Sequence, residues 1–304
     1  MRYQRTIRKA IACSGKGLHS GARVSLRLKP APAGHGIVFV QKRSKGELVR
    51  IKVEQTKVVA TDLSTTLGEN GGSIQTVEHL LSALAGLRIT NLLISLDSEE
   101  LPIMDGSAGP FVRLIHQAGI VDQKEPQSFI KINNALEVRD GQKRIAIYPS
   151  ETFSVDCTIQ YDHPLLRKQH FEFQGGEEEF SKRIAPARTF GFLREVEALW
   201  RRGLARGGSI ENAIVLGPES VLNKEGLRFP DEFVRHKILD LIGDLSLLGL
   251  PLIGKIDAVC PGHQLNSQLV EKILSTPSAW EVIEETREVP TVGTQLSKNI
   301  SVPA

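Results

Sequence analysis

The stretch DEFVRHKILDLIGDLSLL, residues 231–248, decides the fold of the second half of the chain. Its apolar residues recur every three or four positions, which is the spacing of one face of an α-helix. His236, Asp240 and Asp244 lie four residues apart, so they advance by about forty degrees per step and form a narrow polar stripe. The stretch therefore predicts an amphipathic helix that carries a line of metal-binding side-chain types.

Outward from this helix, the second half repeats the patterns of the first half. The helix is preceded by strands over 129–160 and followed by an apolar strand over 254–259 and a helix near 266–274. The first half has the same order: alternating strands over 6–59, a helix over 73–86, a strand over 91–96 and a helix near 110–118. This repetition predicts two domains of similar plan.

We predict an α+β protein with two similar α/β domains, because strands and helices follow each other in each half. The polar, proline-containing segment 122–127 separates the halves, so we predict domains at 1–124 and 125–304. An additional helix and a glycine-rich turn indicate an insert in the second domain near 192–214. Inserts of this kind often line binding sites.

Composition limits the class of protein. The formal charge of +3 is small and the basic clusters lack interleaved aromatic residues, so we expect no nucleic-acid partner. Three cysteines without CxxC spacing favour a reducing compartment over a disulfide framework. The sequence has no signal-peptide core and no apolar run of about eighteen residues. We therefore predict a cytoplasmic protein, without stable membrane insertion, and expect a monomer.

The polar stripe indicates a metal site, because a histidine and an aspartate one helical turn apart can bind one ion. A catalytic zinc takes three protein ligands and leaves one position for water, and His79 is the best candidate for the third ligand. Glu78 points about one hundred degrees away from His79, so it could reach that water as a general base. The alternative is that His79, His236 and Asp240 are ordinary polar residues, since such pairs are common on exposed helix faces.

Six segments spread over the chain carry a more specific signal: GLHSG (17–21), QTVEHLLSAL (75–84), MDGSA (104–108), ARTFGF (187–192), RHKILDLIGD (235–244) and GHQLN (262–266). In this order they resemble the zinc-dependent UDP-3-O-acyl-N-acetylglucosamine deacetylases, which perform the committed step of lipid A synthesis in Gram-negative bacteria. The resemblance implies two α/β domains with the helices sandwiched between two β-sheets, and a small insert in each domain. It also implies that His79, His236 and Asp240 bind Zn²⁺, with Fe²⁺ possible in the cell.

The same resemblance implies roles in catalysis. Glu78 would be the general base, and Thr189 would help polarise the acetamide carbonyl. His263 would either stabilise the oxyanion or protonate the leaving amine, with Asp244 holding its charge and orientation. From the residues alone, His263 lies at a strand-to-helix corner, where catalytic groups are frequent, although a polar turn histidine is the alternative.

The resemblance further implies a small-molecule partner, a UDP-sugar with a 3-O-acyl chain. The residues expected to contact it are Phe190, Lys237, Phe192, Leu63 and His19. The second insert would form an apolar passage for the acyl chain, lined by Leu193, Val196, Leu199, Trp200 and Ala213; a plain packing helix is the alternative. Two other functions stay open: an amidohydrolase for a different acylated amine, and a non-catalytic sugar-nucleotide or lipid-binding protein.

Overall fold

Within the described residues, the structure contains two five-stranded β-sheets with the same strand order. The computed structural model describes residues 2–43 and 46–284. The strands of the first half, up to residue 126, are β1 (Tyr3–Ile7), β2 (Ile11–Lys16), β3 (Arg23–Pro30), β4 (Ile37–Lys42), β5 (Leu48–Lys52), β6 (Val58–Ala60), β7 (Thr66–Glu69), β8 (Gly72–Ile74), β9 (Leu92–Leu96) and β10 (Ile120–Pro126). Its helices are α1 (Glu78–Gly86) and α2 (Gly109–Ala118), with a 3-10 turn at Gln55–Lys57.

The second half, described to residue 284, contains a similar set of elements. Its strands are β11 (Ser128–Ile132), β12 (Leu136–Asp140), β13 (Lys143–Tyr148), β14 (Ser154–Ile159), β15 (Gln169–Phe173), β16 (Phe190–Phe192), β17 (Ile214–Leu216), β18 (Leu252–Ile253), β19 (Lys255–Val259) and β20 (Trp280–Glu284). Its helices are α3 (Glu177–Glu179, continued by a π turn at Phe180–Ile184), α4 (Leu193–Arg201), α5 (Glu232–Leu245) and α6 (His263–Leu274), with 3-10 turns at Ser246–Leu248 and Pro277–Ala279.

The two large sheets have the same topology. The strand order is β2-β3-β9-β4-β5 in the first half and β12-β13-β19-β14-β15 in the second. In each sheet the central strand, β9 or β19, pairs antiparallel with one neighbour and parallel with the other. In each half, one helix precedes the central strand and another follows it. The repeated pattern in the sequence is therefore a repeated fold.

The alternation of apolar and polar side chains along a strand explains why each of these sheets buries one face. Along β3, Val24, Leu26 and Leu28 are buried, whereas the arginines and the serine between them are exposed. Side chains of a strand point to opposite faces in turn, so this pattern places one face on the core and the other in solvent.

Helices α1, α2, α5 and α6 lie between the two sheets, as predicted. Helix α2 contacts β2 of the first sheet, while α5 contacts β14 and β15, and α6 contacts β12 and β13 of the second. The α1 and α5 helices pack on each other between these layers. A Cβ atom at Gly243 would lie 2.2 Å from the carbonyl oxygen of Glu78. Only glycine at 243 therefore allows the α5 and α1 backbones to approach this closely.

Each half carries a small insert, which agrees with the predicted fold class. The first insert is the three-stranded sheet β6-β7-β8, between β5 and α1. The second insert is β16-α4-β17, in which the two strands pair in parallel between β15 and α5. Within the described residues, no helix combines the length and the apolar character needed to span a bilayer.

Helix α1 differs from the prediction. The helix predicted over 73–86 begins only at Glu78. Residues 72–74 instead form β8, which pairs with β7, and Thr76 has a left-handed backbone with φ +61°. Strand pairing inside the first insert therefore outweighs the local helical periodicity. The proposed division between residues 124 and 125 falls within β10, and residues 285–304 of the second predicted domain lie outside the described residues.

Candidate metal centre and active site

Three candidate ligands converge where the start of α1 packs against the middle of α5. Nε2 of His236 lies 3.3 Å from Oδ1 of Asp240, and Nε2 of His79 lies 3.7 Å from the same oxygen. The two imidazole rings are 5.0 Å apart between centroids and nearly perpendicular. All three side chains are buried, and one donor atom from each lies within 4.8 Å of the others. Two imidazoles and one carboxylate are a typical ligand set for a catalytic zinc.

The hydrogen bonds around this cluster leave its donor atoms available to a cation. Nδ1 of His236 lies 3.1 Å from the carbonyl oxygen of Ala187, which can only accept, so Nδ1 carries the proton and Nε2 has a lone pair. That lone pair faces Oδ1 of Asp240, which has no hydrogen-bond partner. Two lone pairs facing each other in a buried site repel unless a cation lies between them. The residues therefore fit a bound metal ion.

The protonation states of the cluster suit metal binding. Burial, reinforced by the neighbouring His236, lowers the pKa of His79 to about 3. Burial also lowers the pKa of His236. Burial raises the pKa of Asp240, but His236 and Lys237 outweigh it and hold that pKa well below its usual range. At neutral pH the cluster thus presents neutral imidazoles and a carboxylate, which are the forms that bind metals.

A second group with ligand-type side chains, Asp156, His170 and Glu172, lies on the β14–β15 pair. It is largely exposed, and Nε2 of His170 already makes a 2.7 Å hydrogen bond to Asp156. Exposed groups of this kind commonly form without a metal ion. The buried cluster of His79, His236 and Asp240 is therefore the better candidate.

A carboxyl group and an imidazole lie close together beside the candidate metal ligands. Nε2 of His263, the first residue of α6, lies 3.8 Å from Oε1 of Glu78, and its Nδ1 lies 2.9 Å from Oδ2 of Asp244. Burial raises the pKa of Glu78 to about 7, although His263 opposes the shift. Burial lowers the pKa of His263, but Asp244 and Glu78 outweigh it and raise that pKa to about 9. A cationic imidazole thus faces a carboxyl group that gains or loses its proton near neutrality, an arrangement suited to proton transfer.

Sequence reasoning missed two residues of this network. The hydroxyl of Thr65 donates to Oδ1 of Asp244 at 2.6 Å, and the side-chain amide of Asn266 donates to Oδ2 at 2.8 Å. Thr65 lies in the first insert and follows no helical or strand spacing that could have indicated it. Asn266 is in one of the six matching segments, but no spacing in the chain indicates Asp244 as its partner.

The segment that contains Thr189 borders the metal centre. Ala187, which accepts the hydrogen bond of His236, lies two residues before Thr189, and Phe190 begins β16. The Phe190 ring is 6.4 Å from the His236 ring. Nζ of Lys237 is 5.5 Å from the centre of the Phe190 ring and 2.9 Å from Oδ2 of Asp240. Phe190 and Lys237 therefore lie on one side of the ligand cluster, and Thr189 directly precedes Phe190 in the chain.

The other predicted contact residues, Phe192, Leu63 and His19, differ in their burial and their surroundings. Phe192 is buried against the rings of Tyr161 and His163, at 5.9 and 5.7 Å. Leu63 is 44% exposed and has a left-handed backbone with φ +64°. His19 is buried, and neither of its ring nitrogens has a hydrogen-bond partner. Burial lowers the pKa of His19, although the carboxylates of Glu100 and Asp62 oppose the shift.

Two imidazoles and one carboxylate beside a carboxyl–imidazole pair suit the class of the metal-dependent hydrolases. Comparisons with known proteins agree. A family model described as UDP-3-O-acyl N-acetylglycosamine deacetylase matches residues 4–275. A protein named UDP-3-O-acyl-N-acetylglucosamine deacetylase from Myxococcus xanthus is 52% identical over 284 residues, which cover 93% of this chain and 90% of the relative.

Two further relatives carry the same name. One, from Nitratiruptor, is 47% identical over 281 residues, covering 92% of this chain and 93% of the relative. The other, from Xanthomonas euvesicatoria pv. vesicatoria, is 46% identical over 283 residues, again covering 92% and 93%. The chain belongs to the UDP-3-O-acyl-N-acetylglucosamine deacetylase family, and the predicted family is confirmed.

Proposed function

We propose that this chain hydrolyses the N-acetyl group of UDP-3-O-acyl-N-acetylglucosamine, which releases acetate and UDP-3-O-acyl-glucosamine. This is the committed step of lipid A biosynthesis, and the family and the names of the relatives support it. The observation that carries the proposal is the convergence of His79, His236 and Asp240 beside the Glu78–His263 pair. Amide hydrolysis needs a polarised carbonyl, an activated water and a proton for the leaving amine, and this arrangement can meet all three needs.

In this proposal His79, His236 and Asp240 hold one Zn²⁺ ion. Fe²⁺ is the alternative in the cell, because histidine and carboxylate ligands accept either metal. The bound metal would supply Lewis acidity, which polarises the acetamide carbonyl and lowers the pKa of water. Support for the assignment comes from the unpartnered Oδ1 of Asp240 and from the proton that His236 directs towards Ala187 rather than towards the cluster.

Glu78 is the proposed general base. Its carboxylate adjoins His79 in the chain and faces His263, so it can take the proton of the water that attacks the acetamide carbon. Burial brings its pKa to about 7, and a general base works best when its pKa is close to the operating pH. The backbone N–H of Thr65 donates to Oε2 at 3.1 Å, which leaves Oε1 on the side of His263.

His263 is the proposed cationic partner. Asp244 holds its Nδ1, so Nε2 is directed towards Glu78 and the reacting amide. In that position the imidazolium can stabilise the developing oxyanion or give its proton to the leaving amine. Thr189 is proposed to donate its hydroxyl to the acetamide oxygen, since its segment borders the metal centre.

The UDP-sugar is proposed to lie against Lys237 and Phe190, with further contacts to His19, Leu63 and Phe192. Burial lowers the pKa of Lys237, but Asp240 outweighs it and raises that pKa, so Lys237 remains a cation. A cation beside an aromatic ring suits an anionic nucleotide-sugar.

The second insert is proposed to guide the 3-O-acyl chain. Leu193 and Trp200 of α4 are 47% and 57% exposed, and the described side chains of α4 are half-buried or exposed. A helix that served only to pack on the core would bury its apolar residues. The exposed apolar side chains of α4 therefore favour the passage, with Val196, Leu199 and Ala213 as its other proposed lining residues.

We also propose a cytoplasmic location and a monomer. The three cysteines, Cys13, Cys157 and Cys260, are free, which suits a reducing compartment. The division at residues 124 and 125 stays a proposal, with the first domain supplying Glu78 and His79 and the second supplying His236, Asp240, Asp244 and His263.

Acetate release by the purified protein tests the proposed function. We expect turnover of UDP-3-O-acyl-N-acetylglucosamine that a chelator abolishes and Zn²⁺ restores. Matched substrates lacking either the acyl chain or the UDP should react much more slowly. Equal turnover of a simple acylated amine would instead indicate a different amidohydrolase. Substrate binding without acetate release and without bound metal would indicate a non-catalytic binding protein.

A further inference from the structure

Thr65 connects the two carboxylates of the acid–base network. It is 1% exposed and lies between β6 and β7 in the first insert. Its backbone N–H donates to Oε2 of Glu78 at 3.1 Å, and its hydroxyl donates to Oδ1 of Asp244 at 2.6 Å. Its carbonyl oxygen accepts from the N–H of Val77, at the start of α1. A single buried residue therefore contacts one carboxylate from each half of the molecule.

The hydroxyl of Thr65 fixes the rotation of the Asp244 carboxylate. Oδ2 of Asp244 accepts from both His263 and Asn266, at 2.9 and 2.8 Å, and Oδ1 accepts from Thr65. An ionised carboxylate only accepts hydrogen bonds, so the threonine hydroxyl must be the donor. Without that donor, Oδ1 would be buried and unpartnered, and the carboxylate could turn away from His263.

We infer that Thr65 is a positioning residue for the reaction: it holds the general base and the partner of the cationic histidine in one fixed arrangement across the junction of the two halves. The inference rests on the function proposed above. Thr65 itself acts through Glu78 and Asp244. Removal of its hydroxyl should therefore slow the chemical step and leave substrate binding unchanged.

Three variants separate this role from simple packing. Thr65→Val keeps the shape but loses the hydroxyl, Thr65→Ser keeps the hydroxyl but loses the methyl group, and both keep the backbone N–H to Glu78. Thr66→Val, at the start of β7, is the matched control. We expect Thr65→Val to lower kcat by about 10–100-fold, as for the loss of other orienting partners, with KM and metal content unchanged. Thr65→Ser and Thr66→Val should stay close to the unaltered protein.

A second measurement does not depend on turnover. The proton on Nδ1 of His263, hydrogen-bonded to Asp244, should give a downfield ¹H NMR signal that His263→Gln abolishes. We expect this signal to persist in Thr65→Ser and to shift or disappear in Thr65→Val. Thr65→Ala takes the place of Thr65→Val if the latter does not fold, with the same expected results.

Two results would overturn the inference. One is an unchanged kcat in Thr65→Val together with an unchanged His263 signal. The other is an equal loss in Thr65→Ser and Thr65→Val, which would assign the effect to the methyl group. If the unaltered protein released no acetate, the proposed function would fail, but the NMR comparison would still decide whether Thr65 positions the Asp244–His263 pair.

Discussion

In both halves of the molecule, the helix before the central strand carries candidate metal ligands, but the two helices present them differently. Helix α1 contributes Glu78 and His79 in its first turn, directly after the insert strand β8. Helix α5 contributes His236 and Asp240 from successive turns along its length. The placement of the site residues in the first half thus depends on where α1 begins. In the second half it depends on the helical periodicity of α5.

The helices after the central strands differ more strongly. His263 is the first residue of α6, shortly after β19. The corresponding connection between β9 and α2 runs over residues 97–108, where Asp105 pairs with Arg228 at 3.0 Å. The same corner of the fold therefore holds a candidate catalytic cation in one half and a structural ion pair in the other. A repeated scaffold provides positions, and the residues placed there decide the chemistry.

Loss of the proposed general base from the first half should have the largest effect on turnover. We expect Glu78→Gln to lower kcat by about 10²–10⁴-fold, because general base catalysis typically contributes that much. Metal content should not change, since Glu78 is outside the His79, His236 and Asp240 cluster. Single-turnover acetate release and metal analysis measure the two effects, with the exposed Glu99→Gln as the control. A kcat close to that of the unaltered protein would exclude Glu78 as the base.

Removal of the cation from the second half should have the next largest effect. We expect His263→Gln to lower kcat by about 10²–10³-fold, as for the loss of one oxyanion donor. If the two halves form one catalytic unit, the double variant Glu78→Gln/His263→Gln should lose much less kcat than the product of the fold losses of the two single variants. Steady-state kinetics of the three variants make this comparison. If the fold loss of kcat in the double variant equals the product of the two single losses, the two residues act independently.

The packing of α1 against α5 can be tested by measuring the free energy of unfolding. Gly243→Ala would place a Cβ atom 2.2 Å from the Glu78 carbonyl oxygen, so α5 and α1 must move apart. We expect a loss of about 1–3 kcal/mol in the free energy of unfolding, the usual cost of overpacking. Urea denaturation measures it, and Gly191→Ala is the control, because a Cβ there meets nothing within 4 Å. Equal stability of both variants would contradict the close packing of α1 and α5.

The pH dependence of the enzymatic activity should show a contribution from one residue of each half. As the proposed general base, Glu78 would act when ionised, so kcat/KM should fall by about tenfold per pH unit below its pKa. That pKa is about 7 without metal, and a bound cation moves it lower. As the proposed cationic partner, His263 would act when protonated, so activity should also fall above about pH 9. A pH profile of His263→Gln should lack the alkaline decline; a profile that keeps it would assign that decline to another group.

The elements with clear periodicity could be predicted from the sequence. Helix α5 was expected over 231–248 and spans Glu232–Leu245 with a 3-10 turn after it, because its apolar spacing is regular. The alternation in β3 likewise indicated a half-buried strand. The start of α1 was predicted five residues too early, because strand pairing in the insert is a tertiary effect that local periodicity does not contain.

The candidate site was predictable only in part for a similar reason. His236 and Asp240 could be proposed as a pair from their spacing, but His79 joins them only through the packing of α1 on α5. Thr65 and Asn266 contact Asp244 from two other elements, so no spacing rule could indicate them. Polar residues that meet only through the packing of separate elements become visible only in the structure.

Metal analysis of variants that each lack one proposed ligand tests most directly whether the two halves together bind a single metal ion. We expect about one metal ion per chain in the unaltered protein, and strong loss in both His79→Ala and His236→Ala, because a catalytic site needs all three protein ligands. His116→Ala, on the exposed side of α2, should keep its metal. Full metal content in a folded His79→Ala variant would contradict a centre shared between the two halves.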